Sequence, residues 1–398
     1  MTDAPPAGGV HPHGKPPRIA IVAGEASGDL LAAHLMSALT ERIPSVRFMG
    51  IGGPRMEEQG FDSWWPGEKL AVRGYVEVLR HYREISGIRR QLAQRLELDQ
   101  PDLFIGVDAP DFNLDLEVRL RSRGIRTCHY VSPSIWAWRG GRIEKIRRAA
   151  DHVMCLFPFE RALYADAGIP ATYVGHPLAD LIPRDAGNPD AALAARKALG
   201  LPMDGKIIGL LPGSRQSELH ALAERFVDVA RRLTARRADV HFVVPFASAG
   251  TEAIWRVVQA RDSEPQLPVT LVQRASHQAL AACDITLVAS GTATLEAALF
   301  RRPMVVAYNM APLSWFLMRR MKYQPYVGLP NILCGEFVVP EFLQGEASPE
   351  NLAQALGNLL DDPHMRNSIS TRFGALHERL RQDNSRRAAD AVIALLQA

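Results

Sequence analysis

Short apolar runs alternate with helical patterns along nearly the whole chain, and this alternation restricts the fold more than any other feature. The first run, Arg18–Ala23, precedes apolar residues at helical spacing: Leu30, Leu31, Leu35, Met36 and Leu39. Similar runs recur at 46–50, 103–107, 126–131, 152–156, 206–211, 241–244, 269–272, 285–288 and 303–307. Near-continuous apolar strands separated by helices are typical of parallel sheets covered on both faces. The sequence therefore predicts an α/β protein with doubly wound parallel sheets.

The alternation stops between residues 181 and 205, where Pro, Gly, Asp and Ala dominate, and we interpret this segment as a linker. A chain of 398 residues with 47% hydrophobic residues is long enough for two domains, here predicted at 18–180 and 206–370. Residues 1–17, rich in Pro, Gly and His, are predicted to be a disordered tail. Residues 371–398 have a helical pattern, and the sequence leaves open whether they pack on the N-terminal domain or are exchanged in a dimer.

Composition narrows the class of protein. The formal net charge is only +3, from 46 basic and 43 acidic residues, so no nucleic-acid partner is expected. The four cysteines, without CxxC spacing, are predicted to be reduced core thiols. The N-terminal residues lack the apolar stretch of a signal peptide, and the longest nearly apolar run, 304–318, is too short to span a membrane. We therefore expect a cytoplasmic protein that contacts a membrane only peripherally.

The turn after the apolar run 285–288 is predicted to bind a phosphate. Small residues start a helix there, and a helix start offers free backbone N–H groups and the positive end of the helix dipole. These residues are Ser290, Gly291, Thr292 and Ala293. Glu296, one helical turn further on, is placed to accept hydrogen bonds from ribose hydroxyls. The pattern indicates a nucleoside diphosphate bound to the C-terminal half.

A second loop, at residues 211–218, supports the same interpretation. Gly213 permits close backbone approach, Ser214 is predicted to cap the next helix, and Arg215 offers a planar guanidinium suited to phosphate. An ordinary capped loop has the same appearance, but two such loops in one domain favour phosphate binding. The sequence contains no Walker A loop, no dinucleotide fingerprint and no acidic or histidine cluster with metal spacing. We expect no cofactor and no metal.

In the N-terminal domain, Asp108 follows the apolar run 103–107, at the strand end where ligands bind in open α/β sheets. A carboxylate in that position serves as a general base toward a hydroxyl. Asp111, by contrast, is expected to cap the following helix. For His176, in a turn-like loop, both a functional role and a simple structural hydrogen bond remain open. Trp136 and Trp138 fit either an acyl-contacting surface or a buried core.

Six segments, taken together and in this order, resemble the lipid-A-disaccharide synthase family over nearly the whole chain. They are GEASGD at 24–29, DAPDFN at 108–113, YVSPSIWAWR at 130–139, LPGSR at 211–215, SGTA at 290–293 and LPN at 329–331. The resemblance implies an inverting, metal-independent glycosyltransferase of the GT-B type, with two Rossmann-like domains facing a central cleft. Such an enzyme joins UDP-2,3-diacylglucosamine to 2,3-diacylglucosamine 1-phosphate (lipid X). The products are the β(1→6)-linked disaccharide 1-phosphate and UDP.

The resemblance also implies a role for each candidate residue. Asp108 takes the proton from the 6-hydroxyl of the acceptor as that oxygen attacks the anomeric carbon. Arg215 and the helix start at 290–293 stabilise the departing diphosphate. Glu296 holds the ribose, and Asn331 lies near the nucleotide.

The remaining implications concern the acceptor and the membrane. Glu25 and Ser27 are expected to line the acceptor side. The family implies peripheral association with the cytoplasmic face of the inner membrane and a homodimer with exchanged C-terminal segments. The expected membrane patch consists of apolar residues beside Arg73 and Arg80, namely Val72, Tyr75, Val76, Val78 and Leu79.

Two other functions remain open at the level of sequence. A UDP-sugar 2-epimerase uses a similar two-domain frame without a lipid acceptor, and it would not need the apolar and basic region at 69–95. A regulatory module that binds nucleotide sugars without turnover would leave Asp108 without a role. Detection of a disaccharide phosphate product discriminates between these alternatives.

Overall fold

The computed structural model describes residues 15–70, 75–136, 140–261, 266–309 and 325–398, apart from the side chains of Glu68 and residues 75–82. The described residues form two compact units. The first contains the residues up to Asp180 together with Leu380–Ala398, and the second is Leu181–Arg379. Residues 181–205, expected to be a linker, therefore belong to the second unit, and most of the C-terminal segment belongs to the first.

The first unit is built on a parallel sheet whose strands, within the described residues, lie in the order β3-β2-β1-β4-β5-β6-β7. The strands are β1 (Arg18–Ala23), β2 (Arg47–Gly52), β3 (Asp62–Pro66), β4 (Leu103–Val107), β5 (Thr127–Tyr130), β6 (His152–Cys155) and β7 (Ala171–Tyr173). The strand order reverses between β1 and β4. In doubly wound sheets, ligands bind at the carboxyl ends of the strands beside such a reversal.

The second unit repeats this plan with a parallel sheet in the order β10-β9-β8-β11-β12-β13 among its described strands. The strands are β8 (Lys206–Leu211), β9 (Val240–Phe246), β10 (Val269–Gln273), β11 (Ile285–Ala289), β12 (Met304–Tyr308) and β13 (Glu341–Leu343). The reversal lies between β8 and β11, so the predicted phosphate loops both follow the strands at the switch point. The α/β class with doubly wound parallel sheets is confirmed.

Helices connect the strands on both faces of each sheet. In chain order they are α1 (Ala26–Arg42), α2 (Pro54–Glu57), α3 (Tyr75–Asp99), α4 (Pro110–Arg121), α5 (Ile143–Ala149), α6 (Glu160–Asp166), α7 (Pro177–Leu181), α8 (Pro189–Leu199), α9 (Gln216–Arg236), α10 (Ala249–Gln259), α11 (Ser276–Ala282), α12 (Thr292–Leu299), α13 (Leu329–Cys334), α14 (Pro349–Asp361), α15 (Pro363–Leu380) and α16 (Asn384–Gln397). None of the described helices combines the length and apolarity needed to cross a membrane.

The core of the first unit explains why its central strands are apolar at every position. In β1, Ile19 and Ile21 pack against α1 and α16, whereas Ala20 and Val22 pack on the other face against α3 and α4. Both faces of the strand are therefore removed from water, which eliminates the alternation seen in half-exposed strands.

Helix α16 is tied to the first unit by polar contacts as well as by apolar packing. The Tyr130 hydroxyl donates to Asn384 Oδ1 at 2.7 Å, and the Asn384 N–H donates to the Asp180 carboxylate at 2.7 Å. Val392 is completely buried in the same core cluster as Ile19. Within this chain, the C-terminal helix therefore packs on the N-terminal unit.

Candidate active site

The register of the first sheet brings the predicted acceptor-side residues next to Asp108. Ala23 at the end of β1 pairs with Val107 at the end of β4, so the loops that follow these strands lie side by side. Glu25 is the N-cap residue of α1 and is half-buried, and Ser27 is exposed in the first turn of that helix. The start of α1, which carries Glu25 and Ser27, and the turn that carries Asp108 thus lie side by side at the carboxyl ends of the central strands.

Backbone strain marks the carboxyl ends of β4 and β5. Asp108 and Ala109 have consecutive left-handed conformations, with φ of 52° and 43°, and Val131 has φ of 79°. Left-handed backbone is unfavourable for residues other than Gly, and most of all for a β-branched residue such as Val131. The Asp108 N–H donates to the Tyr130 carbonyl at 2.8 Å. The strain is therefore held in place by contacts between neighbouring strands.

Asp108 presents a half-buried carboxylate that, within the described residues, has no hydrogen-bond or ion-pair partner. It does not cap α4, because the N-cap residue of that helix is Ala109. The prediction that Asp111 caps this helix is wrong. The helix already begins at Pro110, so Asp111 lies in the first turn, where its side chain is 82% exposed and pairs with Arg142.

An aromatic cluster follows β6 and β7 at the same edge of the sheet. His176 is buried and stacks on Phe157, with ring centroids 5.5 Å apart, and its Nδ1 accepts the Leu178 N–H at 3.2 Å. Burial lowers the pKa of His176 to about 4, so the ring is neutral at physiological pH. The hydrogen bond from Leu178 then places the proton of His176 on Nε2.

The buried side chain of Glu160 forms hydrogen bonds with two residues of this aromatic cluster. Its carboxylate accepts the Trp136 Nε1–H at 3.0 Å and the Phe157 N–H at 3.0 Å, and burial raises its pKa to about 7. Trp136 is only 9% exposed, which favours the buried alternative for this residue, whereas Trp138 lies outside the described residues.

In the second unit, strand register brings the two predicted phosphate loops together. Leu211 pairs with Val288, so the loop after β8 and the turn after β11 are neighbours. The turn begins with Ser290, and Gly291, with φ of 134°, is the N-cap residue of α12 without a side-chain cap. Thr292 is exposed in the first turn of that helix and Ala293 is half-buried. The uncapped helix start leaves its first N–H groups for a ligand.

The carboxylate of Glu218, in the first turn of α9, binds to the backbone of the loop after β8. Gly213 has φ of 128°, and a Cβ atom there would lie 2.5 Å from Glu218 Oε2. That carboxylate oxygen accepts the N–H groups of Ser214 at 2.8 Å and Arg215 at 3.2 Å, while the Arg215 guanidinium lies 3.3 Å from Oε1. The prediction that Ser214 caps α9 is wrong, because Arg215 is the N-cap residue. Arg215 itself is 57% exposed.

The two remaining predicted nucleotide contacts differ in accessibility. The Glu296 carboxylate is 22% exposed and lies 3.6 Å from His277 Nε2. Asn331 is completely buried, and its amide is fully used. It donates to Val339 and Glu341 and accepts the N–H groups of Val338 and Val339. In this arrangement Asn331 orders the loop between α13 and β13 and has no side-chain donor left for a nucleotide.

Part of the predicted membrane patch is not covered by the structure. Val72 lies outside the described residues, and Tyr75, Val76, Val78 and Leu79 lie in α3, where only their backbone is described. Among the described residues, no three His, Cys, Asp or Glu side chains are grouped so that they could hold a metal ion.

Comparison with known proteins identifies the family. The family profile described as Lipid-A-disaccharide synthetase matches residues 19–394. The lipid-A-disaccharide synthase of Aromatoleum aromaticum is 55% identical over 380 residues, covering 95% of this chain and 96% of that protein. The chain belongs to the lipid-A-disaccharide synthase family. It is therefore a glycosyltransferase that forms the disaccharide of lipid A.

Solved structures support the GT-B fold at low sequence identity. A putative UDP-N-acetylglucosamine 2-epimerase from Listeria monocytogenes is 13% identical with a TM-score of 0.61, covering 95% of both chains. The calicheamicin glycosyltransferase is 15% identical with a TM-score of 0.60, covering 96% of this chain and 98% of that chain. Both similarities concern the fold alone.

The sequence analysis did not identify several residues near the candidate sites of the two units. Glu218 lies three residues after the N-cap of α9, which is the spacing of a capping box, and that signal was available. Glu160 and Glu341 gave no comparable signal, because their partners become apparent only in the folded chain. Glu341 accepts the N–H groups of Val327 and Gly328 as well as the Asn331 amide.

Proposed function

We propose that this synthase transfers the diacylglucosamine of UDP-2,3-diacylglucosamine to the 6-hydroxyl of 2,3-diacylglucosamine 1-phosphate, with inversion and without a metal ion. The observation that carries the proposal is that each unit has its own strand-end site and that the two sites differ in chemistry. The first unit presents a half-buried carboxylate that has no partner among the described residues, and the second presents an arginine beside an uncapped helix start. One fits a hydroxyl nucleophile, and the other fits a departing diphosphate.

Asp108 is the general base of the proposed reaction. Its carboxylate takes the proton of the 6-hydroxyl while the oxygen attacks the anomeric carbon from the face opposite to UDP, which inverts that centre. Because the Asp108 backbone is fixed on β4 and β5, little reorganisation is needed when the acceptor binds. Glu25 and Ser27, at the start of the adjacent helix α1, are proposed to contact the acceptor sugar.

The second unit stabilises the charge that develops on the diphosphate. We assign this role to Arg215 and to the N–H groups at the start of α12, with Gly213, Ser214, Ser290 and Gly291 allowing the backbone to approach. Thr292 and Ala293 supply N–H groups of the first helical turn. Fixed donors of this kind perform the electrostatic task that a divalent cation performs in metal-dependent transferases.

Glu296 is assigned to the ribose hydroxyls, with His277 beside it as a further hydrogen-bonding group. Asn331 acts indirectly, because its amide holds the loop that precedes β13. These assignments place the uridine on the side of the second sheet where α12 begins.

Membrane association and dimer formation complete the proposal. The acyl chains of both substrates reside in a bilayer, so the enzyme is proposed to work at the cytoplasmic face of the inner membrane. The patch at residues 72–79 is the proposed contact, because it combines apolar side chains with Arg73 and Arg80. A homodimer remains a prediction from the family.

The decisive experiment is turnover with defined substrates in detergent or vesicles. UDP-2,3-diacylglucosamine and lipid X are incubated with the protein, and the products are identified by mass spectrometry and by NMR of the new anomeric proton. A β-linked disaccharide 1-phosphate and UDP are expected, with the same rate after EDTA treatment. An α-linked product, or a strict requirement for added Mg²⁺, would contradict the inverting or the metal-free mechanism respectively.

A further inference from the structure

Three polar side chains are completely buried beneath the Asp108 turn. Asn113 and Glu117 lie one helical turn apart on α4, and His129 faces them from β5. His129 Nδ1 lies 2.7 Å from Glu117 Oε1, and all three side chains are 0% exposed. The neighbouring α4 residues Phe112 and Leu116 belong to the hydrophobic core. The three polar side chains are therefore buried in otherwise apolar surroundings.

Gly106 makes room for this cluster. It is the last residue but one of β4 and pairs with His129 on β5. A Cβ atom at Gly106 would lie 2.2 Å from Glu117 Oε1 and 3.0 Å from the Asn113 Cγ. The absence of a side chain at Gly106 thus lets the two polar groups of α4 pack directly against β4, the strand that precedes Asp108.

Packing alone does not explain why the fold keeps this cluster. Buried polar groups are often no more stabilising than apolar residues of the same volume, because they lose their hydration on folding. Within the described residues, Asn113 Oδ1, Glu117 Oε2 and His129 Nε2 also lack hydrogen-bond partners. Buried polar atoms without partners lower the stability of the fold, and proteins typically retain them where they serve a function.

The cluster is linked directly to the strained turn. Asn113 Nδ2 donates to the Asp108 carbonyl at 2.8 Å, and the Asp108 N–H donates to the Tyr130 carbonyl at 2.8 Å. The peptide groups on both sides of the Asp108 α-carbon are therefore held, one by α4 and the other by β5. Without the Asn113 amide, the left-handed conformation of Asp108 has only one of these two restraints.

We propose that Asn113, supported by the Glu117–His129 pair, is a positioning residue that holds Asp108 in the left-handed conformation required for catalysis. None of the three contacts substrate. The inference rests on the proposed role of Asp108 as general base. It adds that the orientation of this base is set from inside the domain by buried polar groups on α4 and β5.

The test compares Asn113→Ala and Glu117→Gln with Thr127→Val. Thr127 is a matched control, because it is also 0% exposed on β5, where it is two residues from His129, and its hydroxyl bonds to Ala149 instead. We expect Asn113→Ala to lower kcat about 10- to 100-fold with the KM of both substrates changed less than about threefold, as expected for a misplaced catalytic group. Glu117→Gln should have a smaller effect in the same direction. Thr127→Val should lower the melting temperature without lowering kcat.

A double-mutant cycle separates positioning from general destabilisation. In the Asp108→Asn background, Asn113→Ala should cause no further loss of kcat, because the group that it positions is already inactive. An additive loss, or an equal loss of kcat in Thr127→Val, would overturn the inference while leaving the role of Asp108 intact. Near-normal turnover of Asp108→Asn alone would remove the proposed base and the inference together.

Discussion

At the scale of single residues, Asp108 is a carboxylate on a strained backbone. A left-handed non-glycine residue costs about 1–3 kcal/mol, and here Asp108 and Ala109 both adopt this conformation. The cost is met by hydrogen bonds to Tyr130 and Asn113, which leave the turn little freedom. A general base benefits from such restriction, because its carboxylate need not search for the acceptor hydroxyl.

The first prediction concerns this carboxylate. Asp108→Asn retains the size of the side chain but cannot accept the proton, so kcat should fall roughly 10²- to 10⁴-fold. Calorimetry should show unchanged UDP affinity, and the melting temperature should stay near that of the wild type. Asp111→Asn is the matched control, since Asp111 is exposed in the first turn of α4, three residues from Asp108, and it should retain near-normal turnover.

Arg215 leads to the second prediction. Arg215→Ala removes a charged donor from the diphosphate and should cost about 2–4 kcal/mol of transition-state stabilisation, measured as kcat/KM. Arg236, exposed at the opposite end of α9, provides the control Arg236→Ala. Equal kcat/KM values for the two variants would exclude Arg215 from the leaving-group site.

Among secondary-structure elements, α9 is notable because its own Glu218 occupies donors that a phosphate could use. Two N–H groups and the Arg215 guanidinium face this carboxylate. A diphosphate that approaches the loop therefore meets a negative charge already bound to its donors. We therefore expect Glu218 to stabilise the helix start and to oppose the binding of a nucleotide diphosphate.

The third prediction follows from this competition. Glu218→Gln removes the charge while keeping the shape, so UDP should bind about two- to fivefold more tightly, equivalent to about 0.5–1 kcal/mol. The protein should lose about 0.5–1 kcal/mol of stability, because a charged group at the helix start is removed. Calorimetry with UDP measures the first effect, and Glu224→Gln on the same helix is the control. Weaker UDP binding by Glu218→Gln would mean that the carboxylate presents the loop to the nucleotide.

The fourth prediction concerns the start of α6. Burial raises the pKa of Glu160 to about 7 from an ordinary 4.5. Between these values the unfolded chain releases the Glu160 proton while the folded chain keeps it, so wild-type stability falls as pH rises, by about 3 kcal/mol in total. Glu160→Gln lacks this titration, so its stability relative to wild type should improve between pH 4.5 and pH 8. Urea unfolding at both pH values measures the change, and a pH-independent difference would contradict it.

Sequence patterns located the central strands well and the edge strands poorly. Arg18–Ala23, Leu103–Val107 and Lys206–Leu211 are buried on both faces and therefore read as apolar runs. Of the four edge strands that the structure describes, Asp62–Pro66, Ala171–Tyr173 and Glu341–Leu343 were missed, because they are short or contain polar residues, whereas Val269–Gln273 was predicted from its apolar and β-branched residues. Whether a segment forms an edge strand depends more on pairing with the neighbouring strand than on the composition of the segment itself.

The same reasoning applies to the site. Asp108, Arg215 and the turn at 290–293 were indicated by the sequence, because they follow recognisable strands. The cluster of Asn113, Glu117 and His129 was not, because its members are brought together only when α4 packs on β5. Single-chain patterns identify positions at strand ends, but they do not show which polar residues meet inside the fold.

At the scale of the whole molecule, the fifth prediction concerns the bilayer. Changing Val76, Val78 and Leu79 together to Ser removes apolar area from the proposed patch, so less protein should sediment with anionic vesicles. UDP affinity and the melting temperature should be unchanged. Leu98→Ser, at an 87% exposed position on the same helix, is the control for a general loss of surface apolarity.

A large drop in the melting temperature of the triple variant would contradict the assignment of these residues to a membrane patch. Three such truncations in a packed core cost several kcal/mol, about 1–3 kcal/mol for each side chain. The first unit would then unfold well below the wild-type temperature, and the residues would be assigned to the core of that unit. Unchanged sedimentation with an unchanged melt would place the membrane contact elsewhere.

The return of α16 to the first unit has a consequence for the order of events during synthesis. The ribosome completes all of Leu181–Arg379 before it adds the residues of Asn384–Gln397 that bury Val392 against the first sheet. Domains usually fold in the order in which they are made. Here the second unit has its full set of residues while the first is still incomplete, with one apolar face of β1 and α1 uncovered. Nascent chains of this synthase should thus depend on chaperones mainly for the domain that is translated first.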